Sequence, residues 1–496
     1  MRIPFPERVP IDRVAFFAVI LFIVQQAEGT ALYFSAGCVA FILISALAFN
    51  TAGGLTRASG AYIFFYSTLV VILGITYKAI LGEPAQSNLA DPRGDIKVYV
   101  GGITVMYAAA FVSRRLSRKT GFLQGFLKDS EAYRASVGCI AFGVMGAAVI
   151  ALLGESAGRL ESAFLQLNQL IPLGMIIGTM YEIRRSGGTR SINFPVLFAG
   201  IYFFIFFGIL SFSKQATFSP LFCWLVPVCA LRYRLSALQI SGCLVVIFIM
   251  FHYLAPYSQY GRSQVDASMT QSQRLDVSVR LLEHPEETRK TYFEISRGIR
   301  GLDAYYNTSQ GFWDRLQFIS ADDALNNITD QGRVFGLKPL LYALYNAVPH
   351  VFWPNKPFLN AGYTYAHEIS GEDIDPDDPG FGIAFSATAE AYHMYQWLGV
   401  LVIAPIVWLL FFVVFDSLLG DLRTTPWGLL ALVLISHIGP EGGITGVIYL
   451  LSFGVEILVF CALFAKWVAP IVAVTVLGPE RKLLPRPAMP IRTRAS

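Results

Sequence analysis

Long apolar runs recur along most of the chain and are separated by short polar segments. A helix needs about 20 apolar residues to cross a bilayer, and by that measure the runs predict twelve transmembrane helices. They lie at about 13–27, 30–50, 60–82, 98–113, 135–154, 163–181, 193–212, 218–231, 235–255, 396–415, 427–440 and 445–466. The pattern therefore predicts an all-α polytopic membrane protein.

One long segment interrupts this pattern. Residues 256–395, which we call the polar block, contain 11 Lys or Arg and 18 Asp or Glu residues. Trp313, Trp353 and many Tyr and Phe residues also lie there, so the polar block has enough apolar side chains to bury a core. We expect nine transmembrane helices in 1–255, a mainly helical polar block, three more spans in 396–466 and a basic cytoplasmic tail at 467–496.

The composition excludes several classes of protein. The 496 residues are 54% hydrophobic and 15% charged, whereas a soluble chain carries about 25% charged residues. This excludes a soluble enzyme, a disordered protein, a coiled coil and a single-span receptor. The acidic balance of the polar block argues against nucleic acid as a partner. All six cysteines lie in apolar runs without CxxC spacing, so neither a disulfide framework nor a zinc site is expected.

The basic residues predict the orientation. With the N-terminus in the cytoplasm, 22 Lys or Arg residues lie in the inner segments and 5 in the short outer segments. Positive residues favour the cytoplasmic side, so both termini are expected inside and the polar block outside. For a bacterial chain, this predicts the inner membrane with a periplasmic polar block.

Two predicted helices of the polar block carry candidate binding residues. In the helix expected at 286–306, Arg289, Phe293 and Arg297 recur every four residues, and Arg300 lies close to the same side. This stripe is either a solvated helix face or a phosphate-binding surface. The second helix, at 337–352, precedes a Pro-containing turn that holds Lys356 near the expected level of the lipid head groups.

An acidic run at 368–378 resembles half of a calcium-binding loop. Asp373, Asp375 and Asp377 match the first three ligand positions, but Asp378 stands where the loop needs Gly and Ala384 stands where it needs Glu. A solvated acidic loop is the better interpretation, and a looser divalent-cation site remains the alternative.

Other polar residues lie beside predicted spans, where they are costly unless they have a role. Lys214, in a very short outer loop, can extend to the head groups or contact a diphosphate. Glu390 and His393 lie one turn apart before the span at 396. They are either a structural pair at a helix start or an acid–base pair. Glu441 also lies near the outer side, and five of the six histidines, all except His437, lie in or beside the polar block.

Three segments resemble the oligosaccharide repeat unit polymerases, the Wzy-type O-antigen polymerases of bacterial surface polysaccharide synthesis. They are VPHVFWPNKP at 348–357, SATAEAYHMYQWLG at 386–399 and FSKQ at 212–215. The arrangement of about twelve spans with one large late outer loop is similar too. Lys214 stands where relatives often have Arg; Lys supplies a point charge and lacks the bidentate geometry of Arg.

The resemblance implies a membrane glycosyltransferase of GT-C type that joins repeat units carried on undecaprenyl diphosphate. It implies lipid-linked donor and acceptor, membrane lipid, and a flippase and chain-length regulator as partners. It implies no cofactor and no metal. Diphosphate and glycan binding is then expected from Lys214, Arg289, Arg297, Arg300, Arg315 and Lys356, with Trp313 stacking on a sugar ring. The base is expected to be Glu390 or His393, with Asp322 and Asp323 behind them.

Other functions stay open at this point. An O-antigen ligase is a similar enzyme with a different acceptor, and the sequence does not separate the two. A flippase or exporter of the lipid-linked unit is disfavoured because no internal repeat is visible and the outer block is large. A regulatory partner of a synthesis complex is a further alternative. A dolichol-sugar GT-C enzyme is disfavoured because the first outer loop is very short.

Overall fold

The computed structural model describes residues 1–153, 167–265, 269–297, 305–308, 310, 313–348, 353, 355–357, 364, 367, 369 and 383–478. Every regular element within these ranges is helical. The main helices are α1 Ile11–Ala27, α2 Leu32–Ala52, α3 Ala58–Ile80, α4 Pro92–Leu116, α5 Ala132–Leu153, α6 Leu170–Arg185, α7 Phe194–Ile209, α8 Lys214–Ala230, α9 Ala237–Ser263, α10 Gln271–Glu283, α11 Pro285–Arg297, α12 Ile319–Asp330, α13 Lys338–Ala347, α14 Ala387–Leu398, α15 Ala404–Leu419, α16 Pro426–Glu441 and α17 Gly443–Leu477.

Seven helical segments in the described part of the chain are long and apolar enough to cross a membrane. They are α2, α3, α4, α5, α9, the continuous run that contains α14 and α15, and α17. Helices α1, α6, α7, α8 and α16 also lie at predicted spans but are shorter. A helical polytopic membrane protein is therefore confirmed, and the number of twelve crossings stays a prediction.

Polar residues define where several helices begin. Asn193, Ser213, Ser236 and Ser386 each accept a hydrogen bond from a backbone N–H in the first turn of the following helix. This satisfies donors that have no partner inside the helix. The chain can therefore start new helices after very short connections, which brings sequential helices into direct contact.

The centre of the bundle is aromatic. Tyr62 of α3 packs against Phe411 and Phe412 of α15, with ring centroids 5.3 and 6.1 Å apart. Trp408 is fully buried, and its indole N–H donates to the Tyr62 hydroxyl at 3.3 Å. Near the end of α15, the buried carboxylate of Asp416 accepts hydrogen bonds from Ser59. These contacts hold α3 and α15 side by side.

Residues predicted on the cytoplasmic side meet at one end of this bundle. The Arg57 guanidinium donates to the backbone oxygens of Lys119, at 3.1 Å, and Asp416, at 3.3 Å. Arg423 forms an ion pair with Glu7 at 2.7 Å. This end of the helical bundle is therefore rich in basic residues.

The polar block attaches to the opposite end. Helix α12 packs against α14 and α4, and helices α10 and α11 pack against the end of α9. The Tyr305 backbone oxygen accepts a hydrogen bond from Lys78 of α3, and the Tyr305 hydroxyl donates to the Ala85 oxygen at 2.8 Å. The Asn307 N–H donates to the Glu83 carboxylate. The described parts of the polar block are therefore fastened to the helical bundle.

Several helix boundaries differ from the predicted ones. Helix α9 continues to Ser263, beyond the predicted start of the polar block, and α17 continues to Leu477, into the predicted tail. Helix α14 contains a break at Tyr395 and Gln396, where Gln396 has a φ of 50°. The predicted span at 396 thus begins at a bend and is preceded by a helix that belongs to the polar block.

Candidate functional site

Asp322 is fully buried where α12, α4 and the start of α14 meet. One carboxylate oxygen accepts a hydrogen bond from the Tyr99 hydroxyl at 2.7 Å, and the other accepts one from the Ser386 N–H at 2.9 Å. Burial raises the pKa of Asp322 to about 6, and the bonds to Ser386 and Tyr99 oppose this rise. Asp322 therefore links the polar block to α4 inside the protein.

Asp323, the next residue, holds the turn that leads into α4. Its carboxylate accepts hydrogen bonds from the backbone N–H groups of Ala90, at 2.8 and 3.0 Å, and Asp91, at 2.9 Å. One turn further along α12, the Asn326 amide donates to the Asp95 carboxylate at 2.8 Å, and Asp95 is 1% exposed. Asp322 and Asp323, the two acids of α12 that the sequence predicted as site residues, thus hold the N-terminal end of α4 in place.

Glu390, on α14, contacts the start of α17. Its carboxylate accepts hydrogen bonds from the Thr445 N–H and hydroxyl, both at 3.0 Å, and the residue is 1% exposed. Gly443 begins α17 with a φ of 62°, and a Cβ atom there would lie 2.2 Å from a Glu390 oxygen. A carboxylate is favourable at a helix N-terminus, so Glu390 fixes the junction between α16 and α17.

His393 lies on a different side of α14 from Glu390 and contacts other residues. Its Nδ1 lies 2.7 Å from the Thr329 hydroxyl of α12, and its ring packs edge-on against Phe335 with centroids 4.6 Å apart. The residue is fully buried. Glu390 and His393 therefore bind to different neighbouring elements, and the predicted acid–base role of the two stays a prediction.

The four predicted acid and base residues belong to one buried polar layer. The Tyr66–Thr388 hydroxyl pair is a further member, and beside it the Tyr392 hydroxyl donates to Asp330, which is exposed. The sequence interpretation missed the partners that complete this layer: Tyr66, Asp95, Tyr99, Asn326, Thr329 and Thr445. Asp95 and Tyr99, four residues apart at the start of an apolar helix, were the available signal, since polar groups at such depth are rare without partners.

Two predicted cations lie near a second, smaller cluster at the end of α9. Lys214 is the partly buried first residue of α8 and follows the loop residue Phe212. Phe212 has a φ of 48°, a strained value for a non-glycine residue. The Tyr257 ring packs against Phe212 at 5.2 Å, and the Arg262 guanidinium donates to the Phe212 oxygen at 3.0 Å. Helix α9 thus determines the conformation of the loop that presents Lys214.

Arg289 lies on α11, which packs against the same part of α9. Its guanidinium pairs with Glu286 at 2.7 Å and lies 5.5 Å from the centre of the Phe293 ring. Glu286 also lies 3.9 Å from His252 of α9. Lys214 and Arg289 are far apart in sequence, but the helices that carry them both contact the end of α9.

Trp313 and Lys356 lie elsewhere in the polar block. Trp313 is 37% exposed and stacks on Tyr77 with ring centroids 4.5 Å apart. The Lys356 ammonium donates to the backbone oxygens of Asn346, at 2.8 Å, and Val348, at 2.7 Å. It therefore binds the end of α13, and burial lowers its pKa.

The remaining predicted residues lie partly or wholly outside the described residues. Arg297 ends α11 and Arg315 ends a short 3₁₀ turn, Trp313–Arg315; the side chains of both lie outside the described part of the structure. Arg300, the acidic run 370–378 and the tail from 479 lie outside it entirely. Their predicted roles stay predictions.

Within the described residues, no three His, Cys, Asp or Glu side chains are grouped so that they could hold a metal ion. Comparison of the chain with protein-family models, with curated proteins and with solved structures finds no match. The described residues present a buried acidic layer in which α12 and α14 meet the bundle, and a cationic region around the end of α9.

Proposed function

We propose that this protein is a polymerase of bacterial surface polysaccharide. It joins oligosaccharide repeat units carried on undecaprenyl diphosphate at the outer side of the inner membrane. The proposal starts from the resemblance of three sequence segments to the repeat unit polymerases. No nucleotide sugar, metal or other cofactor is part of the proposal.

The observation that carries the proposal is the way in which the polar block joins the bundle. Helices α12 and α14 reach the apolar helices through Asp322, Asp323 and Glu390, each of which bonds to a transmembrane helix or to the turn beside one. A lipid-linked glycan has its sugars in water and its diphosphate at the membrane surface. A polar block held directly against apolar helices suits such a substrate, because the sugars and the lipid part of the substrate must be bound side by side.

The cationic region suits the leaving group. Transfer from a polyprenyl diphosphate develops negative charge on the departing diphosphate, and fixed cations lower the energy of that transition state. Lys214 and Arg289, on two helices that both contact the end of α9, supply this charge in the proposal. Arg297, Arg300, Arg315 and Lys356 remain further candidates, and Trp313 remains a candidate for stacking on a sugar.

Purified protein in detergent, supplied only with the undecaprenyl-diphosphate-linked repeat unit, tests the function. We expect a ladder of glycans and release of undecaprenyl diphosphate. Arg289→Gln should slow the ladder by about 10-fold or more, because a hydrogen bond to a charged group is lost. Lys290→Gln removes the same charge from the exposed neighbouring position and serves as the matched control; we expect a change of less than about 3-fold.

Two other outcomes would replace the proposal. Movement of the same lipid between the leaflets of a liposome, without any ladder, would identify a flippase. Transfer of the glycan to a lipid A acceptor, again without a ladder, would identify an O-antigen ligase. If Arg289→Gln and Lys290→Gln form the ladder at the same rate, the polymerase function is supported, but Arg289 is not part of the diphosphate site.

A further inference from the structure

Helix α16 is buried along most of its length but not at its end. It packs between α3, α6 and α8, and residues 426–432 of the helix are all buried. At the last turn this changes, because the side chains of His437 and Glu441 are 42% and 40% exposed. These two side chains are therefore accessible at the end of α16 that leads into α17, where Glu390 of α14 is bound.

His437 and Glu441 form a pair at this end of the helix. They are one turn apart on the helix, and His437 Nδ1 contacts a carboxylate oxygen of Glu441. A carboxylate at Nδ1 holds the neutral imidazole with its proton on that nitrogen, which leaves the lone pair on Nε2. This is the arrangement by which a carboxylate orients a histidine that acts as a general base.

The backbone beside this pair is fixed by Glu390. Glu441 is followed by Gly442 and Gly443, and the Glu390 carboxylate lies against Gly443 and binds Thr445. Since two consecutive glycines leave the chain many conformations, the junction between α16 and α17 depends on this carboxylate. Glu390 therefore determines where Glu441, at the end of α16, is held.

We propose that His437 is the general base of the transfer reaction, that Glu441 orients it, and that Glu390 is a positioning residue for the two. This inference rests on the proposed polymerase function. It differs from the sequence-based expectation because Glu390, His393, Asp322 and Asp323 are all less than 9% exposed and bound to protein partners. The side chains of His437 and Glu441 are, by contrast, 42% and 40% exposed.

In the proposed step, His437 Nε2 takes the proton from an acceptor sugar hydroxyl. The oxygen of that hydroxyl forms a bond to the anomeric carbon of the donor glycan. The bond from this carbon to the diphosphate oxygen breaks, and undecaprenyl diphosphate leaves with the electron pair. Glu441 stabilises the resulting imidazolium, which then releases its proton to water. General-base catalysis of this kind contributes about 10²- to 10⁴-fold to a rate.

The test compares variants in the ladder assay, using the undecaprenyl-diphosphate-linked repeat unit isolated from cells that lack this protein. We expect His437→Gln to lower kcat at least 100-fold while KM changes less than about 3-fold. His284→Gln, at an exposed histidine of the polar block, is the matched control and should retain wild-type activity. Imidazole added to His437→Ala should restore part of the rate, which it cannot do where a histidine has only a structural role.

Glu390 is tested through its dependence on His437. Glu390→Gln alone should lower kcat about 10-fold or more, but in the His437→Gln background it should cause little further loss, because residues that act as a unit are not additive. If Glu390→Gln lowers kcat by the same factor in the wild-type and His437→Gln proteins, Glu390 acts independently of His437, and its positioning role is overturned.

The outcomes separate the inference from the function on which it rests. If the wild-type protein forms a ladder and His437→Gln forms it equally fast, the polymerase stands and the inference is overturned. If the wild-type protein forms no ladder under these conditions, both are overturned together. A ladder that is lost in His437→Gln, retained in His284→Gln and restored by imidazole would support both.

Discussion

The acids of the polar layer are held by groups that are distant in sequence. Asp322 receives hydrogen bonds from Tyr99, on α4, and from Ser386, at the start of α14. A buried carboxylate without such donors costs several kcal/mol. At the scale of single residues, these donors allow an ionisable side chain to lie inside an apolar protein.

The raised pKa of Asp322 predicts a pH dependence of stability. Its folded-state pKa, about 6, lies above the unfolded value near 4, so the folded protein binds more protons between about pH 4 and 6. The free energy of unfolding should therefore fall by roughly 3 kcal/mol as the pH rises through this range. Asp322→Asn should remove that fall, and thermal unfolding in detergent from pH 4 to 7 measures it.

The control for this experiment is Asp276→Asn, an exposed acid on α10. It should retain the wild-type pH dependence, since its carboxylate is in water in both states. Equal pH dependence in Asp322→Asn and the wild-type protein would mean that Asp322 does not titrate in this range.

Residue chemistry shows why the sequence indicated only part of the candidate site. Glu390 and His393 could be selected because they precede an apolar run, and both do lie in the buried polar layer. Their partners, Thr445 and Thr329, carry no comparable signal, because a single threonine is compatible with any surface or core. His437 lies within an apolar run, where nothing in the sequence tells an exposed position from a buried one.

At the scale of elements, the junction between α16 and α17 depends on close backbone approach. Gly443 has a φ of 62°, and a Cβ there would lie 2.2 Å from Glu390. A Cβ atom at Gly439, one turn earlier on α16, would have no neighbouring atom nearer than 3.5 Å. The two glycines therefore offer a matched pair of substitutions in one segment.

Gly443→Ala should destabilise the protein by about 2 kcal/mol or more, because the left-handed conformation is strained for alanine and Glu390 must move. Gly439→Ala should change stability by less than about 1 kcal/mol, since alanine is the better helix former. The thermal unfolding midpoint and the fraction of monodisperse protein measure both. Equal loss in the two variants would show that the junction does not require the close approach of Gly443.

The helices themselves could be predicted well, and their ends less well. The helix expected at 337–352 ends at Ala347, where Val348 is extended, because the residue before a proline is disfavoured in the α conformation; Pro349 follows it. The break at Tyr395 and Gln396 had no such marker. It separates the part of α14 that packs on α12 from the part that enters the next apolar helix, so only the packing reveals it.

At the scale of the whole molecule, apolar run length identified a helical membrane protein, but the docking of the polar block could not be predicted. The polar block is attached through long-range bonds such as Tyr305 to Ala85 and Asp323 to Ala90. Such contacts depend on the three-dimensional path of the chain and leave no periodic signal. The distribution of Lys and Arg, by contrast, can be counted directly in the sequence and predicts which side of the membrane each segment faces.

Cysteine labelling tests that sidedness. The native cysteines are buried or partly buried, so the background should be low. Glu287→Cys, exposed on α11, should react with a membrane-impermeant maleimide in intact spheroplasts, and Lys119→Cys, exposed at the basic end of the bundle, should react only after permeabilisation. The reverse pattern would place the polar block in the cytoplasm and exclude a periplasmic reaction.

The bond from Glu390 to Thr445 also has a consequence for biogenesis. Helices enter a membrane in the order of synthesis, and the polar block is made long before α17. The block can bind α4 early, through Asp322 and Tyr99, but the partner of Glu390 arrives only with the last helix. The native packing of α14 is therefore completed only at the end of translation, and a chain truncated before Thr445 should be inserted yet remain a substrate for quality-control proteases.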